Sequence, residues 1–75
     1  MTTTVLDVRG LSCPLPILRA NKAVKEMIPG DILEIQATDS EAPSDFEVFC
    51  ENTGNELLDV TETDGVFIIR LRKSD

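Results

Sequence analysis

Val5-Leu6-Asp7-Val8-Arg9 runs into Gly10-Leu11-Ser12-Cys13-Pro14-Leu15-Pro16-Ile17, and the period of the apolar residues changes across that junction. Leu6 and Val8 fall on one side of an alternating segment, as in a strand with one covered face. Beyond Pro14, Ile17, Ala20, Val24, Met27 and Ile28 recur at helical spacing and form a single stripe. Pro29-Gly30 ends that pattern, so the spacing predicts a helix from about Pro14 to Ile28. Ile32 to Thr38 alternates again with Leu33, Ile35 and Ala37 inward, a second strand. Ser44-Asp45-Phe46-Glu47 has capping-box spacing and predicts a second helix that stops before Gly54. Leu57 to Glu62 and Val66 to Arg72 flank Asp64-Gly65, a hairpin signal. The expected order is strand, helix, strand, helix, strand, strand. That order predicts an α/β two-layer sandwich, one domain over residues 1–75, with both helices on one face of a mixed four-stranded sheet.

The junction also places a thiol at the start of a helix. Helix starts carry unpartnered N–H groups and partial positive charge, and proline is well tolerated at the first helical position. With Pro14 there, Cys13 is the N-cap, and its sulfur stands where Ser or Asp would accept a backbone hydrogen bond. Pro16 has no N–H, which leaves the Leu15 amide as the expected donor to the sulfur. The dipole would lower the thiol pKa by less than about one unit from the ordinary value of about 8.5. Leu15 precedes a proline and is biased out of the α region, so either it is strained or the helix begins a turn later. Cys50 differs. It shares helical spacing with Phe46, Phe49 and Thr53, which makes it a packed core thiol, with a resolving role as the alternative.

Composition narrows the chemistry. The chain has 75 residues, enough for one core and roughly 4–11 kcal/mol of stability. It lacks histidine, which excludes a Cys-His hydrolase, and two cysteines alone make no ordinary zinc site. No apolar run spans a membrane and no signal peptide is visible, so the expected compartment is the cytoplasm. The net charge of −7 opposes direct nucleic-acid binding. Its distribution is uneven: Val8 to Lys25 holds Arg9, Arg19, Lys22 and Lys25 and no acid, while every charged residue from Glu26 to Ile69 is acidic. This predicts a positive zone around Cys13, suited to an anionic ligand or an acidic partner surface, against the simpler reading of a solvated face. Leu15 and Leu18 fall on the same polar side of the helix as the bases, making a candidate docking patch.

The run Leu6-Asp7-Val8-Arg9-Gly10-Leu11-Ser12-Cys13-Pro14-Leu15-Pro16-Ile17 resembles the opening of the TusA (SirA-like) sulfurtransferase family, with its Cys-Pro-x-Pro motif after a Leu-Asp-x-x-Gly-Leu strand end. Pro29-Gly30, Ala37-Thr38-Asp39, Asp45, Phe49-Cys50, Asn55-Glu56-Leu57, Asp64-Gly65 and Arg72-Lys73 also fall where family members have similar residues. Many members carry Asp-Pro after the second strand, whereas here Asp39 is followed by Ser40 and the proline is Pro43. The resemblance implies a β-α-β-α-β-β sandwich and a sulfurtransferase without cofactor, which carries sulfane sulfur as a persulfide on Cys13, with Pro14 and Pro16 as motif support. It implies a cysteine desulfurase or rhodanese as donor and a DsrE-like or other persulfide-accepting protein as acceptor. The pathway is left open among transfer-RNA thiolation, sulfur oxidation, and molybdenum-cofactor or selenium metabolism. Arg9, Leu15, Leu18, Arg19, Lys22 and Lys25 are the candidate partner-binding residues. Two rivals stand beside it. A thiol oxidoreductase would favour a Cys-x-x-Cys pair, absent here, and a non-catalytic regulatory or protein-binding module would use the basic face of the first helix.

Overall fold

The computed structural model describes residues 2–74, in the order β1 (Thr3–Val8), α1 (Leu15–Lys25), β2 (Ile32–Ala37), α2 (Ala42–Thr53), β3 (Glu56–Thr63) and β4 (Val66–Arg72). The sheet order is β1-β2-β4-β3. β1 and β2 run parallel, as a crossover through α1 permits, and the remaining pairs are antiparallel. The period-two pattern sets the register. Leu33 faces Leu71, Ile35 faces Ile69, Ala37 faces Phe67, and on the other side Leu6 faces Ile35 and Val8 faces Ala37. Val8, Leu33, Ile35, Ala37, Ile69 and Leu71 have no solvent exposure. Against this face α1 packs on β1 and β2, α2 packs on β3 and β4, and the helices touch each other. Each side chain fully buried in that layer is worth about 1.5–3 kcal/mol, which is the main stabilising contribution for so small a chain.

The expected hairpin is present: Asp64 (φ 51°) and Gly65 (φ 79°) are both left-handed, the two-residue turn whose twist suits antiparallel strands. Asp59 and Arg70 pair across β3 and β4 at 2.6 Å on the open face of the sheet, an exposed contact of modest value. The chain end is tied back on the fold. Lys73 Nζ donates to the carbonyls of Val24 and Met27, both at 2.7 Å, and so caps the C-terminus of α1.

Several boundaries differ from the sequence expectation. α1 stops at Lys25 because the amides of Glu26 and Met27 bond three residues back, to Ala23 and Val24, which tightens the last turn. Ile28 is thereby turned outward and is 66% exposed, not part of the core stripe. α2 begins at Ala42 rather than at Ser44, with Pro43 in its first turn, where a missing N–H costs nothing. Its end is as expected, at a left-handed Gly54 whose amide bonds to the Cys50 carbonyl. Thr53 is exposed rather than on the covered face, and its hydroxyl donates to the Phe49 carbonyl.

Candidate functional site

Between β1 and α1 the chain makes a loop that two side chains from the end of β2 hold in place. Because β1 and β2 are parallel and adjacent, the C-terminal end of each lies beside the other, and Thr38 and Asp39 emerge next to Gly10 and Cys13. Thr38 Oγ1 accepts the Gly10 amide at 2.8 Å, and Asp39 Oδ2 accepts the Cys13 amide at 2.9 Å. The other Asp39 oxygen accepts the Glu41 amide at 3.2 Å, so a single carboxylate joins the cysteine loop to the start of α2. Gly10 has φ +80°, a conformation glycine reaches without strain.

Cys13 does not cap α1. Pro14 is the N-cap residue, its carbonyl accepts the Leu18 amide, and no side-chain bond closes the helix start. The Leu15 amide, expected to point at the sulfur, donates instead to the Ser12 carbonyl at 2.9 Å. Leu15 is already helical, and the Cys13-Pro14 peptide is cis. Pro16 is buried against the fold while Cys13 stays exposed. The sulfur stands at a groove of about 330 Å³ lined by Cys13, Pro14, Ile17, Asp45, Val48, Phe49 and Asn52. That groove lies between the start of α1 and one side of α2, and is mostly apolar, with Val48 54% exposed.

The charge around the thiol is opposite to the expectation. Partial loss of water, then the Asp45 carboxylate by charge and hydrogen bonding, then the charges of Asp39 and Glu41, push the Cys13 thiol above its ordinary value. The expected positive zone fails at the sulfur because carboxylates distant in sequence fold onto it. The nearest base along the chain, Arg9, is occupied: its Nε lies 2.9 Å from Asp7 Oδ1, and that pairing lowers the Asp7 carboxyl to about 2. Arg19, Lys22 and Lys25 are exposed along α1, as are Leu15 and Leu18 at 43% and 57%. A basic flank therefore exists along the helix, separate from an acidic rim at the thiol.

Asp39 and Asp45 were noted from sequence as positions matching the family pattern, without a role at the site, and Glu41, Val48 and Asn52 were not singled out. One local signal was available for Asp39: an aspartate side chain commonly accepts the backbone amide two residues on, here that of Glu41. Cys50 is buried, as expected, at the edge of a separate cavity of about 290 Å³ lined by Glu47, Cys50, Glu51, Asn55 and Leu57. Among the described residues no cluster of three or more His, Cys, Asp or Glu side chains is placed to hold a metal ion, and no helix is long and apolar enough to cross a membrane.

Comparison with known proteins agrees with this architecture. A crystal structure of a SirA-like protein from Desulfitobacterium hafniense superposes with a TM-score of 0.83 at 25% identity, covering all of both chains. A protein of Neisseria meningitidis described as a candidate sulfur carrier is 58% identical over 69 residues, which are 92% of this chain and 93% of that one. Sulfur carrier protein TusA of Allochromatium vinosum is 46% identical over 69 residues, 92% of this chain and 91% of its own length. Residues 4–73 match the family described as Sulfurtransferase TusA. With this match, these identities and the shared β-α-β-α-β-β sheet, the chain belongs to the TusA sulfurtransferase family.

Proposed function

We propose that this protein is a sulfur-relay carrier that takes sulfane sulfur as a persulfide on Cys13 and passes it to a cysteine of an acceptor protein. The observation that carries the reading is the contrast between the two thiols. Cys50 is packed in the core, whereas Cys13 is exposed at a groove with its backbone pinned by Asp39. Family membership and relatives named as sulfur carriers support the same chemistry.

The transfer needs few parts. The Cys13 sulfur attacks the outer sulfur of a donor persulfide, forming a new S–S bond as the donor's own S–S bond breaks. The donor leaves as a thiolate and takes up the proton that Cys13 gave up, so no net oxidant, metal or cofactor is consumed. Delivery repeats the step with the roles exchanged: an acceptor thiolate attacks the outer sulfur and Cys13 departs. The donor is a cysteine desulfurase or a rhodanese, and the acceptor a DsrE-like or other persulfide-accepting protein. Free thiols persist in a reducing compartment, which makes the cytoplasm the expected place of action. Exposed Leu15 and Leu18 with Arg19, Lys22 and Lys25 form the flank that partners grip beside the sulfur.

A pulse-chase tests this reading. Labelled cysteine with a desulfurase should place label on Cys13, and addition of a persulfide-accepting protein should move it on. Label that never leaves Cys13 for any acceptor, or a Cys13→Ala variant that still supports the sulfur-dependent process in cells, would favour a non-catalytic binding module.

A further inference from the structure

The sulfur of Cys13 shares its groove with one other ionisable side chain, Asp45. Asp45 sits in the first turn of α2, where backbone amides favour a negative charge. Two more carboxylates stand on the same side: Asp39 from the loop after β2, whose Oδ2 accepts the Cys13 amide, and Glu41 at the N-cap of α2, whose amide the other Asp39 oxygen accepts. Among the described residues the charged groups that act on this thiol are these three, all negative. Arg9, the nearest base along the chain, is paired with Asp7.

We propose that Asp45, backed by Asp39 and Glu41, is a specificity-determining residue that makes Cys13 react preferentially with sulfur centres carrying a cationic side chain beside them. The inference rests on the sulfur-carrier reading for its biological meaning, since it says that donor and acceptor each bring a Lys or Arg next to the reacting cysteine. Attack spreads the thiolate's negative charge along the line of three sulfurs, next to carboxylates that repel it. A cation delivered with the incoming sulfur pairs with Asp45, offsets that repulsion and shifts the thiol toward the thiolate only when the right surface is docked. In the unpartnered protein the same carboxylates disfavour the thiolate, which limits reaction with small oxidants and stray disulfides. The apolar remainder of the groove, Pro14, Ile17, Val48 and Phe49, suits the backbone of the segment that carries the cysteine.

The preference can be read without any partner. Trimethylammonioethyl methanethiosulfonate and sulfonatoethyl methanethiosulfonate carry opposite charges on the same reactive sulfur. The Cys13 thiolate displaces methanesulfinate from each and forms a mixed disulfide. The reagents differ in intrinsic reactivity, so each rate is divided by the rate with free 2-mercaptoethanol, and the ratio of the normalised rates reads the charge around Cys13. Rates at Cys13 are followed by intact mass and peptide mapping, for wild type, Asp45→Asn, Asp45→Lys and Glu26→Gln. Glu26→Gln removes the same unit of charge at the far end of α1 and reports the effect of net charge. The wild type is expected to prefer the cationic reagent by about five-fold or more, the scale of a single exposed charge pair. Asp45→Asn should lose most of that preference, Asp45→Lys should reverse it, and Glu26→Gln should retain it. Equal ratios in Asp45→Asn and Glu26→Gln would overturn the proposal, because the preference would then belong to the whole acidic molecule. Loading of Cys13 by a desulfurase is scored separately: its absence with the charge preference intact would refute the carrier reading and leave the selectivity of the thiol standing.

Discussion

Replacing Asp39 with alanine removes the one carboxylate that joins the cysteine loop to α2. Two backbone bonds are lost, from the Cys13 amide at 2.9 Å and the Glu41 amide at 3.2 Å. A hydrogen bond contributes about 0.5–1.5 kcal/mol net, and both amides lie at the surface where water replaces the carboxylate, so the lower end applies. The expected loss is about 1–1.5 kcal/mol out of a total of roughly 4–11 kcal/mol. For a domain of this size each kcal/mol moves the melting temperature by about 4–8 °C, which predicts a fall of roughly 4–12 °C. Asp39→Asn separates bonding from charge. Its amide oxygen can accept one of the two N–H groups, so it should melt between wild type and Asp39→Ala. Thr38→Val, which loses only the bond from Gly10, should fall in the same range. Both Asp39 variants remove a negative charge that raises the Cys13 thiol, so Cys13 should alkylate with iodoacetamide at lower pH than in wild type, while Thr38→Val keeps the wild-type profile. Circular dichroism melts and alkylation followed by peptide mapping give both readings. An Asp39→Ala protein that melts within about 2 °C of wild type and alkylates with the same pH profile would refute the bridging role.

Three further predictions follow from the same geometry. Cys13→Ser, at an exposed position, should leave stability within about 0.5 kcal/mol of wild type, whereas Cys50→Ser places a hydroxyl in the core, should cost about 1–3 kcal/mol in a denaturant titration, and should still load sulfur. Alkylation of wild-type Cys13 should rise with pH to a midpoint above that of free cysteine. A thiol raised in the folded state binds its proton more tightly than in the unfolded chain, so stability should fall as pH climbs from the ordinary thiol range toward the folded value; a midpoint below free cysteine would contradict the acidic rim. Lys73→Met removes two bonds to the carbonyls of Val24 and Met27, so amide exchange at the end of α1 should accelerate and the melting temperature should drop, with a loss of about 1–3 kcal/mol.

The parts of this molecule governed by neighbours in sequence were legible from the residues. Alternation in Leu33, Ile35 and Ala37 identified the covered face of β2, and Asp64-Gly65 identified the hairpin between β3 and β4, because each is a property of a few consecutive residues. Helix ends were read less well. Ser44 was expected to open α2, but Pro43 suits a first helical turn equally, and the helix starts ahead of both at Ala42. Ile28 continues the helical spacing of Val24, yet the tightened turn at Glu26 and Met27 carries it into solvent. The environment of Cys13 was misjudged for a different reason. Its four near bases by sequence suggested a positive site, whereas the carboxylate that holds its amide comes from 26 residues away, through the parallel pairing of β1 and β2. Counting charges along the chain cannot register such a contact; a fold assignment precise enough to align the ends of those strands would have.

The measurement that bears most directly on the central claim is intact mass after incubation with a cysteine desulfurase and cysteine, with polysulfide as a second donor, for wild type, Cys13→Ser and Cys50→Ser. A carrier acting through Cys13 gains a single sulfur atom that reductant removes, and the gain disappears in Cys13→Ser alone. Sulfur that still adds to Cys13→Ser, or wild-type protein that gains none from either donor, would contradict the account.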